Sequence, residues 1–283
     1  MKQAALAAKR FLALVAGAIL YHSRAHRWLL RRRAVIVLFH RVDDRYARDP
    51  ITRGWQDFRR FLRFFRRFFH VVTLAELLRR LEQGEPIDRC LVITFDDGYR
   101  DNHAAGTALA DAGLPACFFI TTDFIESNRV PWWDAEAGIP SEWMTWDQVR
   151  ALRDAGFEIG AHTCNHVDLG KVHGSESDAE IRGSKGRLEG ELGARVTFFS
   201  FPYGRRDNFT EDNRLRVRAS GFAACLSAHG GTVTPETHRY ALPRIPISQW
   251  LASPYHFGLE VIRGRSTAAS RPSEPEPPRY TST

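Results

Sequence analysis

Short β-rich apolar runs alternate with helix-like stretches along most of this chain, and that alternation limits its fold more than any other feature. The apolar runs stand at residues 35–39 (VIVLF), 91–95 (LVITF), 116–121 (ACFFIT), 157–161 (FEIGA), 196–201 (VTFFSF) and 222–226 (FAACL). Helical patterns fall between them, at 57–69, 73–81, 102–112, 146–155 and 175–192, three of them closed by Gly113, Gly156 and Gly193. Strands that alternate with helices pair in parallel, so the chain reads as an α/β protein of β-α units. The stretch 57–69 carries Phe58, Phe61, Leu62, Phe65, Phe68 and Phe69 at helical spacing, with Arg59, Arg60, Arg63, Arg66 and Arg67 opposite. A nucleic-acid patch would also mix arginines with aromatics, but a core stripe with a solvated basic face accounts for the pattern. Thr73, with Glu76 three residues on, is expected to form a capping box.

Composition excludes the non-globular classes. With 283 residues, 43% of them hydrophobic and 26% charged, the chain is neither disordered nor fibrous, and it can bury a large core. Cys90, Cys117, Cys164 and Cys225 form no C-x-x-C pair, which argues against a cysteine zinc site or a disulfide framework. A formal net charge of +7 suggests an anionic neighbour: a membrane, a nucleic acid or an acidic polymer.

The N-terminus is apolar at residues 11–21 (FLALVAGAILY), short of the roughly 20 residues a bilayer span needs. Lys9 and Arg10 precede the run, and Arg24, Arg27, Arg31, Arg32 and Arg33 follow it. The run suits an uncleaved anchor or signal-like core, or a plain packed helix, but basic residues beyond it favour a helix lying on an anionic membrane face. The chain therefore divides into a basic, apolar N-terminal segment (1–33), membrane-associated or signal-like, a main domain (34–263) and a tail (264–283). The tail is rich in Pro and Ser and is expected to be disordered.

In parallel α/β folds, chemistry collects at the carboxyl ends of the strands, and each polar cluster of this chain stands at such an end. Asp96 and Asp97 close the run 91–95. Neighbouring carboxylates on extended chain face apart, so one can hold a metal while the other takes a proton; the rival reading is a turn with solvated aspartates. His162-Thr163-Cys164-Asn165-His166 follows the run 157–161. Histidines at i and i+4 converge if the segment curls into a helical turn, and with one carboxylate they make an open metal site. Two unrelated loop histidines are the alternative. Cys164 should point away from both. Phe201-Pro202-Tyr203-Gly204 is a tight turn that presents the Tyr203 amide. His40 follows the run 35–39, and Arg244 lies in the strand-like Leu242-Pro243-Arg244-Ile245; taken singly, they read as a capped loop histidine and a surface ion pair.

Together TFDDG (94–98), HTCNH (162–166) and FPYG (201–204) resemble the metal-dependent polysaccharide deacetylases, carbohydrate esterase family 4, across about Val35 to Ile247. The resemblance implies a distorted, incomplete (β/α) barrel. It also implies that Asp96 is the general base and that Asp97, His162 and His166 hold a divalent metal, usually zinc. Two departures from the common pattern stand out. Ser200 occupies the place of the arginine that usually precedes Pro-Tyr, and the late Leu-x-x-His motif that supplies the acid histidine is missing. Leu38-Phe39-His40-Arg41-Val42 at the front looks like the poly-β-1,6-N-acetylglucosamine deacetylase branch, in which the acid histidine has moved to the N-terminus. His40 is then the acid, and Arg244 stands in beside Asp96.

The implied reaction removes N-acetyl groups from a polysaccharide, an oligosaccharide or a lipid-linked glycan and releases acetate. The Tyr203 amide would face the oxyanion, and Trp132, Trp133 and Trp146 are candidates for sugar stacking, although core packing is the commoner fate of any one of them. An O-acetyl esterase on the same metal site and an inactive carbohydrate-binding homologue are the alternatives. No base-reading module supports a nucleic-acid partner. The expected partners are an N-acetylated glycan and, through residues 1–33, a membrane surface of the bacterial cell envelope, on a side the sequence leaves open.

Overall fold

A computed structural model describes residues 2–47 and 49–264. Helices α1 (Lys2–His22) and α2 (Ala25–Leu29) precede strand β1 (Val35–Phe39). Then come β2 (Arg41–Val42), β3 (Thr52–Arg53), α3 (Trp55–Phe68), β4 (His70–Val71), α4 (Leu74–Gln83) and β5 (Cys90–Phe95). The body continues through α5 (Asp101–Asp111), β6 (Cys117–Ile120), α6 (Trp132–Ala137), α7 (Trp146–Asp154), β7 (Glu158–Ala161) and α8 (Ser175–Leu192). It ends with β8 (Phe198–Ser200), α9 (Glu211–Ala219), β9 (Ala224–Leu226), β10 (Ile245–Pro246) and α10 (Pro254–Arg263).

The main sheet is parallel throughout, in the order β10-β1-β5-β6-β7-β8-β9, with β4 beside the first residues of β5. Its two edges come together. Leu226, at the end of β9, forms an isolated parallel bridge to Leu242, and three residues later Ile245 pairs with Val37 of β1. The sheet is therefore curled into an incomplete barrel whose seam is one short segment, 242–246. β1 and β5 are buried at every position, which is why they read as unbroken apolar runs. Val37, Phe39, Ile93 and Phe95 join the outer core under the helices. Ile36, Val92, Cys117 and Phe119 join an inner core with Leu74, Leu77 and Leu78 of α4. The Glu158 carboxylate, at the start of β7, accepts the Leu74 and Ala75 amides at 2.7 and 2.8 Å. Helix α4 thus plugs the amino end of the barrel and leaves the carboxyl end for polar groups.

Several local expectations shift. The strand-like runs at 196–201 and 222–226 are strands only over β8 and β9; beyond them single backbone bonds continue the pairing, from the Phe201 amide to the Leu226 carbonyl at 3.0 Å and from the Ala223 amide to the Thr197 carbonyl at 2.7 Å. Thr73 caps α4 by accepting the Glu76 amide, but the Glu76 carboxylate turns to Arg79 and Arg80, so the reciprocal half of the expected box is lost. A complete box forms instead at Thr145 and Gln148 of α7. Helices α6, α9 and α10 lay outside the sequence reading; α9 buries only Asn213 and Val217, too narrow a stripe to show as periodicity.

Helix α3 buries the expected stripe and Phe64 as well, while its arginines stay exposed. Phe64 is covered because α1 and α10 pack over it: the Tyr21 and Phe64 rings lie 4.8 Å apart. Two glycines permit that packing. A Cβ on Gly17 would lie 2.0 Å from the Tyr255 carbonyl oxygen, and one on Gly258 would lie 2.5 Å from the Tyr21 ring. No helix among the described residues is long and apolar enough to cross a membrane. The tail expected from Gly264 lies, after its first residue, outside the described residues.

Phe65→Ala should lower the unfolding free energy by about 3–5 kcal/mol in urea titration. Arg66→Ala, on the solvated face of the same helix, should change it by less than about 0.5 kcal/mol. Equal losses would overturn the assignment of the two faces.

Candidate active site

The carboxyl end of β5 sets the first part of the site. The Asp96 amide donates to the Phe39 carbonyl at 3.0 Å, which continues the β1–β5 ladder by one bond. Asp97 then turns into left-handed backbone at φ +76°. That turn splits the two carboxylates, sending Asp96 toward Arg244 and Asp97 toward the histidines.

The second motif begins where the His162 amide donates to the Ile120 carbonyl at 3.0 Å. The segment curls, but not as the helical turn expected: Thr163 and His166 are both left-handed, at φ +63° and +56°. Glu180 of α8 holds this irregular backbone. One of its carboxylate oxygens accepts the amides of Cys164 and Asn165 at 2.9 Å each, and the other accepts the Asn165 side-chain amide at 2.7 Å. Cys164 points at α8, its Sγ 3.6 Å from the Glu180 carbonyl, and burial pushes its thiol up to about 11. It faces away from the histidines, as expected.

Asp97, His162 and His166 converge. Their ligand atoms all lie within 4.8 Å of one another, with Asp97 Oδ1 at 3.4 Å from His162 Nε2 and 3.3 Å from His166 Nε2. Asp97 Oδ1 is nevertheless buried without a well-formed hydrogen bond. A bare carboxylate oxygen facing two imidazole nitrogens is a fit donor set for a divalent cation. His162 Nδ1 lies 2.8 Å from the Ser200 carbonyl; donating there, it turns the Nε2 lone pair to the site. Burial opposes the protonation of His162, but Asp96 and Asp97 outweigh it and raise its pKa. The two histidines have the opposite effect on Asp97, which stays well below the carboxylate range despite its burial.

Arg244 is fully buried, not the surface residue a single-position reading suggests. Its guanidinium grips Asp96 with two bonds of 2.7 and 2.6 Å, and Nη2 also donates to Ser200 Oγ at 2.7 Å. Ser200, in the place of the usual arginine, leaves room for Arg244 to arrive from the far end of the chain. Burial raises the Asp96 pKa, yet Arg244 and His162 bring it below its ordinary value. His40 stands at the end of β1, close enough that its charge also lowers both aspartates. Tyr203 is left-handed at φ +58°; its ring lies 4.9 Å from that of His166, and its hydroxyl accepts from Trp132 Nε1 at 3.2 Å.

The site also contains residues that motif reading did not single out. Trp133, read as a candidate for sugar stacking or core packing, packs 4.7 Å from the His166 ring and donates to Tyr99 Oη at 2.8 Å. Tyr99 donates to Asp134 at 3.2 Å, and Arg41 pairs with Asp134 at 2.5 Å in the interior. Arg41 adjoins His40, but nothing in the sequence links it to a carboxylate 93 positions away. Trp146 belongs to the core.

This parallel α/β barrel thus gathers at its carboxyl end a carboxylate and two imidazoles fit to hold a cation, beside an aspartate clamped by arginine. Residues 83–223 match the Polysaccharide deacetylase family model; His40 and Arg244 lie outside the matched stretch. YxkH of Bacillus subtilis, a protein named as a polysaccharide deacetylase, is 25% identical over 182 residues, 64% of this chain. The chain spans 60% of that relative's length. The Streptococcus pyogenes deacetylase PplD, solved with acetate, has the same fold, with a TM-score of 0.66 at 19% identity over 80% of this chain and 96% of its own. A de-N-acetylase of Aggregatibacter actinomycetemcomitans gives a TM-score of 0.63 at 18% identity over 75% of this chain and 94% of its own.

Glu180→Ala should weaken zinc binding about 10–100-fold, as loss of outer support for metal ligands commonly does. Competitive zinc titration measures this, with helix content by circular dichroism as the folding control. Unchanged affinity in the folded variant would remove Glu180 from the support of the site.

Proposed function

We propose that the chain removes N-acetyl groups from N-acetylglucosamine-type residues of a glycan, using a divalent metal, zinc before others, held by Asp97, His162 and His166. The observation that carries this reading is the bare Asp97 oxygen facing two imidazole nitrogens, next to an aspartate clamped by arginine. The similarity to a de-N-acetylase, and to a deacetylase solved with acetate, supports an acetamide substrate. A cation held by Asp97, His162 and His166 would polarise the carbonyl and make water a better acid.

The chain's own groups divide the remaining work. Asp96, kept ionised by Arg244, accepts a proton from the water that adds to the acetamide carbon. The Tyr203 amide faces the oxygen on which negative charge develops. His40, at the mouth beside both aspartates, gives a proton to the nitrogen as the carbon–nitrogen bond breaks. Acetate leaves and a free amine stays on the sugar. An amine is a poor leaving group unless protonated, so the acid matters more here than it would for an ester.

Acetate release from a panel of N-acetylated glycans, with and without chelator, tests the reaction class. Release that is abolished by chelator and restored by zinc is expected; chelator-resistant release would overturn the metal-dependent reading. Asp96→Asn should keep its metal and lose at least about 100-fold in kcat. His40→Ala should also lower kcat with metal retained, and an unaltered rate on an N-acetylated substrate would return the acid role to another group.

A further inference from the structure

The N-terminal helix is apolar on two sides, and only one of them is covered. Gly17 and Tyr21 face α10 and α3, where Tyr21 is buried and its hydroxyl donates to the Gly258 carbonyl at 3.3 Å. Leu12, Val15, Ala16 and Ile19 recur at helical spacing on the opposite side, with Phe11 at its edge. Leu12 is 66% exposed, Ile19 64% and Phe11 65%. Trp28, on α2, is 70% exposed. A helix that is apolar all round is ordinarily covered all round, so this outer face lacks a partner.

The charge around that face is of one sign. Residues 1–33 hold eight of the chain's 40 Lys and Arg and none of its 33 acids, so the remaining 250 residues are close to neutral. Lys9 and Arg10 stand just before the apolar patch, and Arg24, Arg27, Arg31 and Arg32 just after it, all exposed. Of these only Arg32 has an acidic partner among the described residues, Glu236 at 3.1 Å. An apolar strip between two basic ends, with an exposed Trp among the arginines, is complementary to a bilayer surface of anionic lipid: acyl chains below, negative headgroups at both ends. A second copy of this chain would bring the same positive charge to the contact and repel it.

We infer that the outer face of α1 and α2 docks the enzyme on anionic lipid headgroups, lying in the membrane interface without crossing it. The helix is itself packed on the barrel, so docking fixes the catalytic body at the membrane surface instead of tethering it on a loose leader. The inference is independent of the deacetylase reading, because lipid binding involves none of the residues of the metal site.

Co-sedimentation of the full chain with vesicles tests it. The chain should pellet with phosphatidylcholine vesicles that contain phosphatidylglycerol, remain in the supernatant with phosphatidylcholine alone, and be released by salt. Ile19→Glu should weaken binding at least about tenfold. Arg27→Gln combined with Arg31→Gln should weaken it about 25-fold, close to fivefold per arginine. All three positions are exposed, and circular dichroism checks that the variants fold. Failure to pellet, equal binding to neutral vesicles, or wild-type binding by both variants would overturn the inference. A dimer in light scattering that Ile19→Glu dissolves while vesicle binding stays unchanged would assign the face to a second copy instead.

Discussion

One guanidinium joins the carboxyl end of this barrel. Arg244 donates to the Ser227 carbonyl just past β9, to Ser200 Oγ in β8, and to Thr94 Oγ1 and Asp96 at the end of β5. Thr94 passes the connection to β1 through the Val37 carbonyl. Backbone pairing across the seam is sparse, with one isolated bridge between β9 and the segment that leads into β10. The side-chain network joins strands where the ladder does not. A buried arginine without a partner is costly, and removing one member of such a pair typically costs about 3–5 kcal/mol. The proposed base is therefore ionised for a structural reason: the interaction that closes the barrel also holds Asp96 below its ordinary pKa.

Strain is concentrated at the same end. Eight described residues other than glycine have positive φ, and four of them are Asp97, Thr163, His166 and Tyr203. Left-handed backbone costs an ordinary residue roughly 1–2 kcal/mol. Glycine would avoid that cost, but glycine cannot supply the carboxylate of Asp97 or the imidazole of His166. The surroundings offset the strain: Glu180 accepts three donors from the second motif, and Gly204 fits so tightly against Ala228 that a Cβ there would lie 2.2 Å from its amide nitrogen. A site built this way is pre-organised before any ligand arrives.

Much of this was legible in the sequence because it is local. Apolar runs mark the strands, and side chains at a strand's carboxyl end follow it directly in the chain, so Asp96, Asp97, His162 and His166 can be read in place. What was hidden depends on distance or on shape. Glu180 sits in a helix with few apolar residues, 16 positions from the amide it holds, and no spacing rule ties the two. Arg41 and Asp134 meet only because α6 folds back over the mouth. Phe64 owes its burial to α1 and α10, whose close approach depends on two glycines that look unremarkable in sequence. The capping box at Thr73 failed for a similar reason: Glu76 had two arginines within one helical turn, and these outcompeted a backbone amide.

The ring also explains why a catalytic acid could come from either end of such a chain. β1 is the first strand of the barrel and β10 the last, yet the two are neighbours, paired at Val37 with Ile245 and at Leu38 with Pro246. A residue that follows β1 and a residue carried by the final segment therefore open onto the same part of the mouth. Both exchanges proposed here use that adjacency. His40 follows β1 and in the proposed reaction would serve in place of a late histidine, while Arg244, just before β10, reaches Asp96 from the far end of the chain. In an open sheet, the first and last strands can be far apart, and moving a catalytic group from one terminus to the other would displace it from the site. In a sheet curled until its edges touch, the same move leaves the group within reach of the same two aspartates, so the chemistry constrains where the side chain stands and not which end of the chain supplies it.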